Sequence, residues 1–160
     1  TYSQLDAEIA AFRAVLTDRG IKAGDVVGLL APNSVGFIKA YLAINTIGAA
    51  AVLRPAHLDT MTVFGCSMKF GLKGLVYDVS LEEKTEIIKA KVPALPLITT
   101  AETSEKSIPA VYPDENSLST VIFTGGTTGN SKGARLEKLY CEYTEKPHAE
   151  SLEAFGEVRR

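Results

Sequence analysis

The chain has little cysteine, little net charge and no long apolar run, and each scarcity excludes something. Its 160 residues hold two cysteines, Cys66 and Cys141, 75 positions apart. With no paired spacing they supply neither a disulfide framework nor a zinc site, and two reduced thiols in a cytoplasmic protein are the expectation. The net charge of −2 gives no argument for nucleic acid or for an acidic membrane surface as partner. No apolar run reaches the roughly 20 residues of a transmembrane helix. The opening TYSQLDAEIAAF has no basic region ahead of an apolar core and does not read as a secretory signal. It also lacks an initiator Met, so a trimmed or excerpted chain is expected. There is no internal repeat and no low-complexity tract.

What is present is an ordinary globular composition, 46% hydrophobic and 22% charged, in a length that suits one domain with a real core. The stretch from Ser3 to about Arg19 reads as an amphipathic helix with Leu5, Ile9, Phe12 and Leu16 on one face, Ser3 as N-cap with Asp6 three residues on, and Gly20 as its stop. A short buried strand follows at Asp25–Ala31. Pro32 and Asn33 break it, and Ser34 caps a second helix, about Val35–Ile47, that buries Phe37, Ile38, Tyr41 and Leu42. Further strands are expected at Gly48–Leu53, Gly74–Tyr77, Leu95–Thr99 and Leu118–Phe123, with helices at His57–Phe70, ending at Gly71, and from a Ser80/Glu83 capping box to about Ala90. Thr100–Asn116, polar and carrying Pro109 and Pro113, reads as a connection over the surface. Strands alternating with helices at this spacing predict βαβ units and a mostly parallel α/β sheet, and near-continuous apolar strands predict helices on both faces.

Chemistry concentrates in Phe123–Gly133, FTGGTTGNSKG. Glycine lets backbone N–H groups come close to an anion, threonine hydroxyls add donors, and Lys132 adds a point charge. Such a loop leaving a strand suits a polyphosphate. A plain hairpin turn is the alternative for any Gly/Asn/Ser-rich stretch after a strand. A Walker loop fits worse, since it needs Gly immediately before Lys and Ser or Thr after it. The glycines at 125, 126 and 129 also miss the spacing of a dinucleotide fingerprint.

The loop resembles the phosphate-binding signature of the AMP-forming adenylating enzymes, the superfamily of acyl-CoA synthetases, luciferases and non-ribosomal peptide adenylation domains. Thr124, Gly125, Gly126, Thr127, Thr128, Gly129, Lys132 and Gly133 match it, while Ser131 stands where Pro is usual. TYSQL and GIKAGDVVGLLAPNSVGFIKAYLAINTIGAAAVL also resemble that family's opening blocks, so the likeness covers about Thr1–Leu136, closest in style to the acyl-CoA synthetases. The resemblance implies the N-terminal part of the large domain of an AMP-dependent synthetase/ligase. Its reaction attacks the α-phosphate of ATP with a carboxylate, releases pyrophosphate, and passes the acyl-adenylate to the thiol of coenzyme A, with magnesium assisting. Thr124, Thr127, Thr128 and Lys132 then contact the β- and γ-phosphates, and Gly125, Gly126, Gly129 and Gly133 are conformational.

The resemblance also implies parts that follow the loop in the family: an aromatic-Gly-x-Thr-Glu motif for adenine and magnesium, an Asp for the ribose, and a Lys in a small C-terminal domain. None is evident here; Tyr143-Thr144-Glu145 lacks the motif's Gly and spacing. The isolated chain is therefore expected to be inactive, with a partner-binding module (self-association or pairing with the rest of a synthetase) or a simple nucleotide-binding module as the non-enzymatic alternatives. The tail, Glu137–Arg160, is read as divergent, forming either a short helix around Ala149–Phe155 or a loosely ordered segment, and is given no chemistry. His57 and His148 are read as structural or solvated, Arg54 and Asp59 as a local ion pair of little worth, and Cys66 as a small core residue.

Overall fold

The computed structural model describes residues 1–54, 65, 69–114, 116–124 and 132–137. The expectations for His57, Asp59, Cys66, His148 and the tail beyond Glu137 lie outside them. Of the expected helix at 57–70, residues 65, 69 and 70 are described and are helical, and Gly71 follows with φ +60°.

Six strands form one sheet: β1 (Val26–Leu30), β2 (Ala50–Arg54), β3 (Gly74–Tyr77), β4 (Leu97–Thr99), β5 (Leu118–Thr124) and β6 (Lys132–Glu137), in the order β4-β3-β1-β2-β5-β6. The first five run parallel, and β6 returns antiparallel along β5. The parallel part matches the expectation, and β6 is an addition to it.

Helices α1 (Tyr2–Asp18) and α2 (Val35–Thr46) cover one face, where Phe12, Leu16, Ala43 and Ile44 pack with Val27, Leu29, Ala51, Val76 and Ile98. Helix α3 (Glu82–Lys91) covers the other, its Ile88 packing with Leu30, Leu75 and Tyr77. The registers Leu29↔Val76 and Leu30↔Tyr77 show how the alternation of one strand sends neighbours to opposite cores. Each face thus carries an apolar core, as the apolar strands required.

Local chemistry sets the ends. The cap of α1 is Thr1, in a reciprocal box with Gln4, and not Ser3; it lies two residues earlier than the Ser3/Asp6 pattern suggested. Ser34 caps α2 as expected, its Oγ accepting from the Phe37 N–H at 3.1 Å. α1 and α2 close with the same pair of bonds: Ile21 N–H to Leu16 O with Gly20 N–H to Thr17 O, and Ala49 N–H to Ile44 O with Gly48 N–H to Asn45 O. No Ser80/Glu83 box forms. Asp78 instead caps a 3-10 turn at Val79–Leu81, taking both the N–H and the hydroxyl of Ser80, and α3 starts after it without a side-chain cap. Ile38 is 47% exposed, because it lies off the Ala40–Ala43–Ile44 stripe that meets the core.

The connection runs over the surface, as expected, and its course leads from β4 at one edge across α1 and α2 to β5. Ile108 N–H donates to Ala10 O, and Val111 N–H to Thr46 O. Arg13, on the apolar side of α1, is buried and donates from Nε to Ile108 O at 2.7 Å and from an η-nitrogen to Thr46 Oγ1 at 3.1 Å. Among the described residues no helix is long and apolar enough to cross a membrane.

Candidate functional site

Because β1 to β5 are parallel, their carboxyl ends share one edge of the sheet, the edge where open α/β sheets bind ligands. The Gly/Thr-rich segment leaves this edge from the end of β5. Thr124 is the last residue of β5, Lys132 the first of β6, and the two are paired across the ladder. Paired residues in antiparallel strands have Cα atoms about 5 Å apart. Residues 125–131 therefore span a closed mouth, with Gly133 beside it, paired with Phe123. Of the eight expected contact residues, Thr124, Lys132 and Gly133 are brought together in this way. Gly125, Gly126, Thr127, Thr128 and Gly129 lie outside the described residues. The hairpin alternative and the phosphate loop thus coincide in topology, since the loop is the connection of a β-hairpin. No helix follows it, which sets it apart from the strand–loop–helix of a Walker or dinucleotide site.

Two features of this region were not visible beforehand. The first is the polar seam between α2 and β5. Tyr41 Oη lies 2.9 Å from Thr120 Oγ1, and the Ser119 hydroxyl donates to Asn45 Oδ1 at 2.6 Å. Tyr41 also stacks parallel to Phe37, with ring centroids 6.2 Å apart. The second is a hydroxyl and carboxylate group farther along the same edge. Asp78, just past β3, accepts from the N–H and hydroxyl of Ser80 and from Thr100 Oγ1 at 3.4 Å. The Ser80 hydroxyl and then its N–H hold the Asp78 carboxyl below its ordinary value, against a smaller opposing effect of burial. Asp and Ser in turns are common enough that the sequence alone offered no sign of this cluster, whereas Tyr41 had been read as core. Among the described residues no group of three His, Cys, Asp or Glu side chains is placed to hold a metal ion.

A parallel five-stranded sheet covered by helices on both sides, with an antiparallel strand added at one edge, defines an α/β class. The comparisons with known proteins narrow it. The family model described as AMP-binding enzyme matches residues 1–145, running past Leu136 into the tail, and the chain belongs to that family. It is 29% identical over 143 residues to the long-chain-fatty-acid–CoA ligase FadD13 of Mycobacterium tuberculosis, covering 83% of this chain and 28% of that one. It is 25% identical to the 2-succinylbenzoate–CoA ligase of a Geobacillus species, covering 83% and 27%. Among solved structures, ATP-bound MatB from Rhodopseudomonas palustris superposes with a TM-score of 0.76 at 26% identity, covering 87% of this chain and 30% of that one. The inhibitor-bound N-terminal domain of FACL13 from Mycobacterium tuberculosis gives 0.77 at 27% identity, covering 89% and 38%. The architecture is accordingly that of the N-terminal domain of these ligases. The chain spans between about a quarter and two fifths of the length of these proteins.

Proposed function

We propose that this chain is the triphosphate-holding portion of an AMP-forming acid–CoA ligase. In this reading Thr124, Thr127, Thr128 and Lys132 bind the β- and γ-phosphates of ATP, and Gly125, Gly126, Gly129 and Gly133 let the backbone close around them. The observation that carries it is the pairing of Thr124 with Lys132 at the mouth of the loop, on the carboxyl edge of the sheet. When a carboxylate attacks the α-phosphate, charge grows on the departing pyrophosphate, and N–H, hydroxyl and ammonium donors fixed beforehand stabilise it without reorganising. Magnesium would come with the triphosphate and supply part of the positive charge that the leaving pyrophosphate needs, while the loop's N–H groups, hydroxyls and Lys132 would hold the phosphates. Coenzyme A accepts the acyl group in the complete reaction, and the cytoplasm, where ATP and coenzyme A meet, is its setting.

Residues 1–136 form the synthetase-like unit in this reading, and the tail from Glu137 contributes no catalytic group. The chain alone binds nucleotide and does not turn over, since the adenine, ribose and carboxylate-engaging motifs are missing from its sequence. A fatty acid is the favoured substrate of the complete activity, on the strength of FadD13 being a long-chain-fatty-acid–CoA ligase. The second reading, a partner-binding module, is favoured by one observation: β6 forms an edge of the sheet among the described residues, and such edges recruit strands from other chains.

Calorimetry with Mg-ATP and with pyrophosphate tests the reading. Binding that falls at least tenfold in Lys132→Ala is the expected result, in line with the loss of a charge-assisted hydrogen bond worth about 1.5–3 kcal/mol. No binding at millimolar ligand overturns it. Pyrophosphate–ATP exchange with a panel of fatty and aromatic acids is expected to be absent. Robust exchange that vanishes in Lys132→Ala would show that the chain is active by itself.

A further inference from the structure

Strand β4 forms one edge of the sheet among the described residues, yet its outward side is not open. Pro96 O accepts from the Leu75 N–H at 2.9 Å, and the Thr100 N–H donates to Tyr77 O at 2.8 Å, so both residues turn these groups to β3. The backbone alternates along a strand, which turns Ile98 to β3 as well and leaves Leu97 and Thr99 facing outward. Leu97 O accepts from an Arg19 η-nitrogen at 3.1 Å. The Thr99 N–H donates to Glu102 Oε1 at 2.8 Å, and Thr99 O accepts from the Glu102 N–H at 3.1 Å. Glu102 Oε2 closes the ring on the other η-nitrogen of Arg19 at 2.7 Å. Each carbonyl meets a donor and the N–H meets an acceptor, the pattern that a neighbouring strand would supply.

We propose that Arg19 and Glu102 act as a surrogate strand that closes the β4 edge against a second copy of this chain. A sheet edge with unpaired N–H and C=O groups is a template for another strand, and this one is complementary to itself. Laid antiparallel on its copy with Ile98 at the two-fold axis, Leu97 of one molecule faces Thr99 of the other, and each such pair exchanges two N–H···O bonds. Those bonds draw on Leu97 O, the Thr99 N–H and Thr99 O, the groups that Arg19 and Glu102 hold. The ion pair lies at the surface, with side chains 45% and 29% exposed, where an approaching strand meets it first. So exposed a pair adds little to stability, and its contribution is to the state of association. The proposal is independent of the ligand of the Gly/Thr-rich loop.

The test is sedimentation velocity on the full chain from about 10 μM to 1 mM, a range that suits a small interface. Arg19→Ala/Glu102→Ala removes the side-chain cap without changing the net charge. Asp18→Ala/Lys106→Ala removes the neighbouring surface pair, 2.9 Å apart, and controls for the lost charges. The uncapped variant, folded by circular dichroism, is expected to dimerise at least about tenfold more tightly than wild type, the size of two net hydrogen bonds. The control should match wild type. Strand β6 is the same in all of them, so any association through it cancels in the comparison. Thr99→Pro, added to the uncapped variant, removes an outward N–H and spares the bonds to β3, and should return dimerisation to the wild-type level. Should the double variant fail to fold, Arg19→Ala alone, which frees Leu97 O at little cost in stability, is expected to tighten dimerisation about threefold. Wild-type dimerisation in the folded uncapped variant overturns the proposal, and so does added association that survives Thr99→Pro.

Discussion

Two glycines in the same structural role separate backbone strain from steric strain. Gly20 and Gly48 each follow a helix, with φ of +83° and +85°, a conformation that costs an L-residue roughly 1 kcal/mol or more. Around Gly20 nothing lies within 4 Å of where a Cβ would stand, but at Gly48 that carbon would sit 2.9 Å from Ala23 Cβ and 3.3 Å from Ala23 Cα. Gly20→Ala should therefore cost about 1 kcal/mol, and Gly48→Ala about twice as much or more, because the Ala23 backbone has to move as well. Urea denaturation of the two variants checks the order; equal losses would mean that the contact is relieved freely. Asp78 carries a prediction of a different kind. Its folded pKa is lowered, first by the Ser80 hydroxyl, then by the Ser80 N–H. A lowered carboxylate contributes stability that is complete above its unfolded pKa of about 3.9 and is lost as the pH falls through the folded value. Ser80→Ala should move the Asp78 titration upward and shrink this acid-side loss. An NMR titration of the Asp78 carboxyl carbon reads it directly, and an unmoved midpoint would contradict the assigned cause.

At the scale of the element, caps and edges decided what could be read in advance. Ser34 before Val35 was legible because the break at Pro32–Asn33 isolates it, and its Oγ does accept from Phe37. Ser34→Ala should cost about 1 kcal/mol in chemical denaturation. Glu83→Ala should cost only a few tenths, as a first-turn acid next to the helix dipole, because no capping box holds it. A loss of 1 kcal/mol there would restore the box. That box was misread because Asp78 outcompetes Ser80: the aspartate takes both donors of the serine that was meant to do the capping. Strand β6 escaped notice for another reason. KGARLE carries three charges and one large apolar residue, so neither alternation nor β-propensity marks it as a strand. Its strand state comes from the ladder with β5, a long-range pairing that composition does not report. The register shift in β5 between Leu118 and Thr120 was not legible either, since it depends on the count of residues on two strands at once.

For the whole molecule, the chain must carry β5 to the far side of β2 after ending β4 at the opposite edge. The alternation of strands and helices made the parallel sheet legible, but not this crossing, which contains no regular element among the described residues from Thr100 to Asn116. A side-chain anchor of its course is Arg13, which follows Phe12 on the apolar side of α1 and which the sequence reading did not single out. The Arg13 guanidinium is buried against two neutral acceptors, Ile108 O and Thr46 Oγ1, so it links α1, α2 and the connection at one point. Beside its backbone bonds, the segment has two ion pairs at the surface, Arg19–Glu102 at 2.7 Å and Lys106–Asp18 at 2.9 Å. Hydrogen bonds from a charged group are each worth about 1.5–3 kcal/mol. Exposed pairs contribute at most about 1 kcal/mol. Arg13→Met keeps the stem and its packing while removing the donors, and should lower stability by about 3 kcal/mol. It should also open the 100–117 segment to limited proteolysis ahead of the rest of the chain. Arg19→Ala and Lys106→Ala should each stay within about 1 kcal/mol of wild type and keep the segment resistant. If Arg13→Met behaves like those two, the crossing is held by backbone bonds alone, and the buried guanidinium is only tolerated there.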